Sequence, residues 1–149
     1  MSSLNEKVQV LVAAMNQSDD SLPEKMHLTT EAIIGNQCDQ TSDRVITING
    51  KRVRYLNRTD RGVGLNRNET LLHADGDILA FADDDMVFTE GYSDIIQKAF
   101  RELPDADAII FNIKTIGQDM GRRTNSKISR VRFYNCLNYG AARLSVQLF

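Results

Sequence analysis

Asp83, Asp84 and Asp85 stand in an unbroken row directly after the apolar run Ile78-Leu79-Ala80-Phe81-Ala82. Adjacent carboxylates repel one another, and none can turn into an apolar interior without a partner. Such a group calls for positive charge. A hard divalent cation of the Mg²⁺ or Mn²⁺ kind would supply it, taking one or two carboxylates and filling its other positions with phosphate oxygens and water. An acidic triplet can also be no more than a solvated turn. Placement favours the cation reading, because open α/β sheets bind ligands outside the carboxyl ends of their strands. The other reactive side chains carry less. His27 and His73 have no partner at ligand spacing and read as surface or packed histidines. Cys38 and Cys136 fit no metal or redox spacing.

The elements that must position the aspartates follow from the apolar pattern. Val8 to Met15 is short, β-branched and nearly all apolar, as suits a strand buried on both faces of a parallel sheet, and it runs into a polar tip at Asn16. Ser21-Leu22-Pro23-Glu24 offers a capping serine, a first-turn proline and a glutamate placed for a capping box, so a short helix is expected. Glu31 to Gly35 reads as a second strand ending in Asn36-Gln37-Cys38-Asp39. Val45 to Ile48 and Lys51 to Leu56, joined by Asn49-Gly50, predict a β-hairpin on a type I′ turn. A helix is expected from about Leu65, with Leu65, Leu72 and Leu71 on its inner face and Gly76 ending it. Asp77 to Ala82 is then a third buried strand. Tyr92, Ile95, Ile96, Ala99, Phe100 and Leu103 recur at helical spacing between a Thr89 cap and Pro104. Ala108 to Ile113 makes a fourth strand. Strand and helix alternate, which implies a mainly parallel α/β sheet.

Composition sets the frame. A chain of 149 residues allows one domain, and 42% hydrophobic with 26% charged residues is ordinary globular usage. A net charge of −2 argues against a nucleic-acid partner. No stretch approaches the roughly 18 apolar residues needed to span a bilayer, and a cytoplasmic location is expected. A basic segment with Lys114, Arg122, Arg123, Lys127, Arg130 and Arg132 reads either as a clamp for phosphates or an anionic lipid-linked acceptor, with peripheral membrane contact, or as a solvated loop.

Gly64-Leu65-Asn66-Arg67-Asn68, followed by His73-Ala74-Asp75-Gly76-Asp77 and the strand that ends in Asp83-Asp84-Asp85, resembles glycosyltransferase family 2. The shared pattern is an Arg-Asn helix start, an Ala-x-Gly turn and a strand ending in a DXD motif. The resemblance takes in the first strand with Asn16 and the second with Asp39, and so covers about residues 8 to 113. It implies a GT-A, Rossmann-like fold with the hairpin as an insertion. It also implies a metal-dependent, inverting transfer from a nucleoside-diphosphate sugar, usually of uridine, to a saccharide or lipid-linked acceptor, as in polysaccharide biosynthesis. By position, Met15 and Asn16 would line the nucleotide pocket, Asp39 would face the base and Arg67 would lie near the base or diphosphate. Asp83 would sit near ribose and metal, Asp85 would be the direct metal ligand, and Asp84 is the middle residue of the motif in the donor site. The family's base is an aspartate well after DXD. No acid follows Asp119 here, and Asp119 itself lies in a glycine-rich loop, so the catalytic base is left unassigned.

The acid-free tail from Val131 to Phe149, with Leu144, Val146, Leu148 and Phe149, is expected to lead into an acceptor-binding part and to favour a homo-oligomer. Two other readings compete. Gly62-Val63-Gly64 with Asp83 about twenty residues on imitates a dinucleotide fingerprint and hence an NAD-dependent oxidoreductase. Arg67 at the third glycine position and the polar run Asn57 to Arg61 count against it. A non-catalytic nucleotide-sugar-binding module is the other, distinguished by turnover.

Overall fold

The computed structural model describes residues 5–111 and the backbone of residues 140–142. The basic segment, Asp119, Cys136 and the end of the expected fourth strand lie outside the described residues. The elements run β1 (Val8–Met15), α1 (Leu22–Lys25), β2 (Glu31–Gln37), β3 (Ser42–Ile48), β4 (Lys51–Arg58), α2 (Val63–Leu72), β5 (Ile78–Asp83), α3 (Tyr92–Glu102), β6 (Ala108–Ile109) and β7 (Gly140–Ala142). One sheet has the order β3-β4-β2-β1-β5-β7-β6. Its centre is parallel, with β4, β2, β1 and β5 all running one way. β3 at one edge and β7 near the other run antiparallel to their neighbours.

Alternation along the central strands divides the interior into two layers. Val8, Val10, Val12, Ala32, Ile34, Val53, Tyr55, Ile78 and Ala80 face one side and are covered by Leu22 and Met26 around α1 and by Tyr92, Ile96 and Phe100 of α3. Leu11, Ile33, Leu56, Leu79 and Phe81 face the other, under Leu71 and Ala74 at the end of α2. Strands covered on both faces explain the unbroken apolar runs that marked β1 and β5 in the sequence.

Several expectations change in detail. Strand and helix do not alternate throughout: β2 passes to its parallel neighbour β4 by way of strand β3, so the hairpin contributes one arm to the parallel centre. Its turn forms as expected, with Asn49 and Gly50 at φ 51° and 74°. Ser21 makes no side-chain cap on α1; its hydroxyl goes instead to Asp19 Oδ1 at 2.5 Å. Gly91 (φ 70°) is the cap of α3, whereas Thr89 supplies only its carbonyl, to the Tyr92 amide. Gly76 does not end α2, which stops at Leu72 with His73 as cap. It is instead a point of close approach, since a Cβ there would lie 2.7 Å from Gln9 Cβ.

Leu65 and Leu72 share a stripe of α2, as their spacing requires, but it is the outer one, 59% and 70% exposed. The inner stripe is Asn66, Arg67 and Thr70, with Leu71 packed beside it. The helix lies against β1 and β2, where strand carbonyls need donors, and polar residues meet that need where leucine could not.

At the opposite end of the sheet from the aspartates, Lys7 bridges Glu31 at 2.6 Å and Asp75 at 3.1 Å, and Arg52 reaches the same two acids. The hydrogen bond from Lys7 holds the Glu31 carboxyl below its usual range, with Arg52 adding to it. A depressed folded value stabilises above the unfolded pKa and is lost as pH falls through the folded one. Glu31→Gln is therefore expected to cost about 0.5–1 kcal/mol at pH 7, the cluster being partly exposed, and progressively less at strongly acid pH, about pH 2–3, as protonation passes through the depressed folded value. Urea unfolding at the two pH values checks this.

Candidate functional site

β1, β2 and β5 lie parallel in register, so the residues that follow them emerge at one end of the sheet. Met15 and Asn16 leave β1, Asn36 to Asp39 end β2, and Asp83 to Asp85 end β5. A polar cleft of about 620 Å³ opens there, lined by Asn16, Gln17, Asn36, Asp39, Arg44 and Asn57 among others. The acidic turn flanks it, joined through Gln17, whose Nε2 donates to Asp84 Oδ2 at 3.3 Å.

The three aspartates have different surroundings. Asp83 Oδ1 accepts from Arg67 at 2.8 Å, so the positive charge that the triplet calls for is supplied in part by the protein itself. Arg67 is buried on the inner stripe of α2 and delivers its guanidinium to the end of β5. Asp84 Oδ2 also accepts the Met15 amide at 3.3 Å, and the Asp84 amide donates to Ala13 O at 3.2 Å. Asp85 is exposed, and no hydrogen bond or ion pair joins it to the other described residues. Among the described residues no three His, Cys, Asp or Glu side chains converge as a metal cage. The acceptors open to a cation are the Asp85 carboxylate and the second oxygens of Asp83 and Asp84. This set suits Mg²⁺ or Mn²⁺ completed by ligand phosphates and does not suit a site closed by protein alone.

Asn16 takes a left-handed φ of 53° and its amide donates to Gln37 O at 2.9 Å, which turns the chain out over the end of β2. Asp39 projects into solvent, its side chain 95% exposed, and accepts from Arg61 at 3.0 Å. Arg44 forms the cleft's outer wall: it pairs with Asp20, and its guanidinium carbon stands 4.3 Å from the centroid of the buried Tyr55 ring. Burial, with Asp20 adding to it, pushes the Tyr55 phenol up to about 12.

Of the expected site residues, Asn16 and Asp39 line the cleft, whereas Met15, Arg67, Asp83 and Asp84 are joined by direct contacts beside it and Asp85 extends into solvent from the same turn; Gln17 connects the two groups. Sequence reasoning missed Gln17, Arg44, Asn57 and above all Asn36. Asn36 belongs to β2 and is only 2% exposed; it accepts the Gln17 amide at 2.9 Å and donates to Gln17 O at 3.0 Å and Asn57 Oδ1 at 2.9 Å. The signal available was an asparagine directly continuing an apolar strand, a place where a polar side chain must find partners.

The mostly parallel sheet flanked by helices is an α/β fold of the GT-A, Rossmann-like class. The Glycosyl transferase family 2 model matches residues 7–146, and the chain belongs to that family. No curated protein and no solved structure matches it. Among the described residues no helix is long and apolar enough to cross a membrane.

Proposed function

We propose that this protein transfers a sugar from a nucleoside-diphosphate sugar, of the uridine type, to a saccharide or lipid-linked acceptor, with inversion at the anomeric carbon. Membership of family 2 supports transfer in general, and one observation supports the donor assignment: an exposed Asp85, with no partner among the described residues, stands beside an Arg67-paired Asp83 at the end of the sheet where a polar cleft of about 620 Å³ opens, and Gln17 of that cleft touches the same acidic turn. Met15 and Asn16 would border the nucleotide, Asp39 would meet the base, and Arg67 with Asp83 would face ribose and diphosphate. Asp85 and the outer oxygen of Asp83 would hold Mn²⁺ or Mg²⁺, which when bound would stabilise the charge of the departing diphosphate.

The electrostatics support the same reading. Asp19, Asp20, Asp39 and the triplet crowd one end of the sheet, and their field alone would repel a diphosphate. Arg67 neutralises one member of the triplet without consuming both oxygens, leaving an acceptor pair that binds a cation and, through it, the anionic ligand. The dinucleotide reading lacks such support, since its single acid would have no use for Asp85.

Calorimetric titration of UDP, GDP, ADP and dTDP with and without Mn²⁺ tests the proposal. UDP is expected to bind best, about tenfold or more tighter with the metal, equivalent to about 1.4 kcal/mol or more. Equal affinities with and without Mn²⁺, or saturable NAD binding in place of UDP, would remove the assignment. Release of UDP from a UDP-sugar on adding an acceptor distinguishes a transferase from a binding module.

A further inference from the structure

One carboxylate oxygen of the middle aspartate of the triplet is already engaged within the protein. Asp84 Oδ2 takes the Met15 amide and the Gln17 amide side chain, both at 3.3 Å, while its own amide is tied to Ala13 O at 3.2 Å. Gln17 is in turn gripped at both its main-chain N–H and C=O by the buried side chain of Asn36, which Asn57 Oδ1 orients from β4, and Asn57 Nδ2 donates to Ser42 Oγ at 2.9 Å. A continuous chain of contacts therefore runs Ser42–Asn57–Asn36–Gln17–Asp84, from the hairpin across β4 and β2 to the acidic turn. Its inner members, buried Asn36 with half-buried Asn57, Gln17 and Asp84, have few alternative partners and fix the parts they join.

We propose that Asn36, Gln17 and Asp84 are positioning residues that staple the acidic turn to the loop after β1, so that Asp83 and Asp85 are held at a set distance from the nucleotide cleft. The inference rests on the donor site proposed above. It assigns Asp84 no direct contact with the donor or the cation, because its role needs an acceptor oxygen and not a charge. Loss of the staple loosens the turn before any ligand arrives, and the binding energy of the ligand must then order it.

Asp84→Ala, Asp84→Asn, Gln17→Ala and the double variant Gln17→Ala/Asp84→Ala test this by two readouts. In the unliganded protein, hydrogen exchange of peptides covering residues 13–18 and 83–88 is expected to quicken about three- to tenfold in Asp84→Ala and Gln17→Ala. Asp84→Asn, whose amide oxygen still accepts both bonds, should stay within about twofold of the parent. UDP affinity in the presence of Mn²⁺ should follow the same order, with the double variant no weaker than about the poorer single one, as members of one linked unit behave. Unchanged exchange in both alanine variants would overturn the staple. So would an Asp84→Asn affinity as poor as that of Asp84→Ala, which would put the charge of Asp84 on the ligand. Failure of the parent protein to bind UDP would refute the donor site alone, and the exchange measurement would still decide the staple.

Discussion

Gly35→Ala is expected to remove about 3–5 kcal/mol of stability, the largest single-residue effect in this protein, combining overpacking with stranded buried carbonyls. A Cβ at position 35 would stand 1.8 Å from Asn66 Oδ1 and 2.9 Å from both Asn66 Cγ and Thr70 Cγ2. Asn66 cannot simply swing aside. Its Nδ2 donates to Ala14 O at 3.2 Å and Gly35 O at 2.8 Å, pinning α2 to two strands at once. Displacing it breaks both bonds and shifts the helix that carries Arg67. Urea unfolding should show a lower midpoint with unchanged slope. Asn66→Asp probes the same contact from the helix side, since it turns a carboxylate toward two carbonyl oxygens in a buried place. Its folded-state pKa would be raised, so the penalty should grow as pH rises above the ordinary aspartate range. Equal stability of this variant at pH 4.5 and pH 8 would refute the contact.

Asp85→Ala is expected to erase the metal dependence of nucleotide binding: the tightening of about tenfold or more by Mn²⁺ should fall to within about twofold. Asp85 is exposed and unbonded among the described residues, so its stability should change by no more than about 0.5 kcal/mol. Coupling between these two measurements is the point. An intact melting curve with lost metal dependence assigns the carboxylate to the cation. Parallel losses in both would describe a damaged turn, and full metal dependence in the variant would sink Asp85 as a ligand.

What could be read beforehand was whatever one short stretch decides by itself. The parallel centre was legible because strands covered on both faces must be apolar throughout, and the hairpin because Asn49-Gly50 admits the two positive φ angles. Collection of Met15, Asn16, Asp39 and Asp83 to Asp85 at one end of the sheet followed from the strands alone. Long-range partnerships were hidden. No local pattern shows that Asn66 caps the carbonyls of two strands, or that Arg67 spends its charge on Asp83. Hydrophobic spacing chose the wrong stripe of α2, because that helix is seated by hydrogen bonds more than by leucines. Asn36 reads in sequence as part of a polar tip for the same reason: its partners Gln17 and Asn57 come to it only through the fold.

The strand that delivers the acidic turn has neighbours drawn from opposite ends of the chain. β5 pairs on one side with β1 and on the other with residues 140–142, where Phe81 stands opposite Gly140. During synthesis the polar cleft at the ends of β1, β2 and β4 can therefore assemble well before the outer side of β5 is covered. Until then β5 presents unpaired amides and carbonyls along an apolar strand, an edge open to any extended segment nearby. The slowest step of folding should be the pairing of β5 with residues 140–142, a contact between strands far apart in sequence.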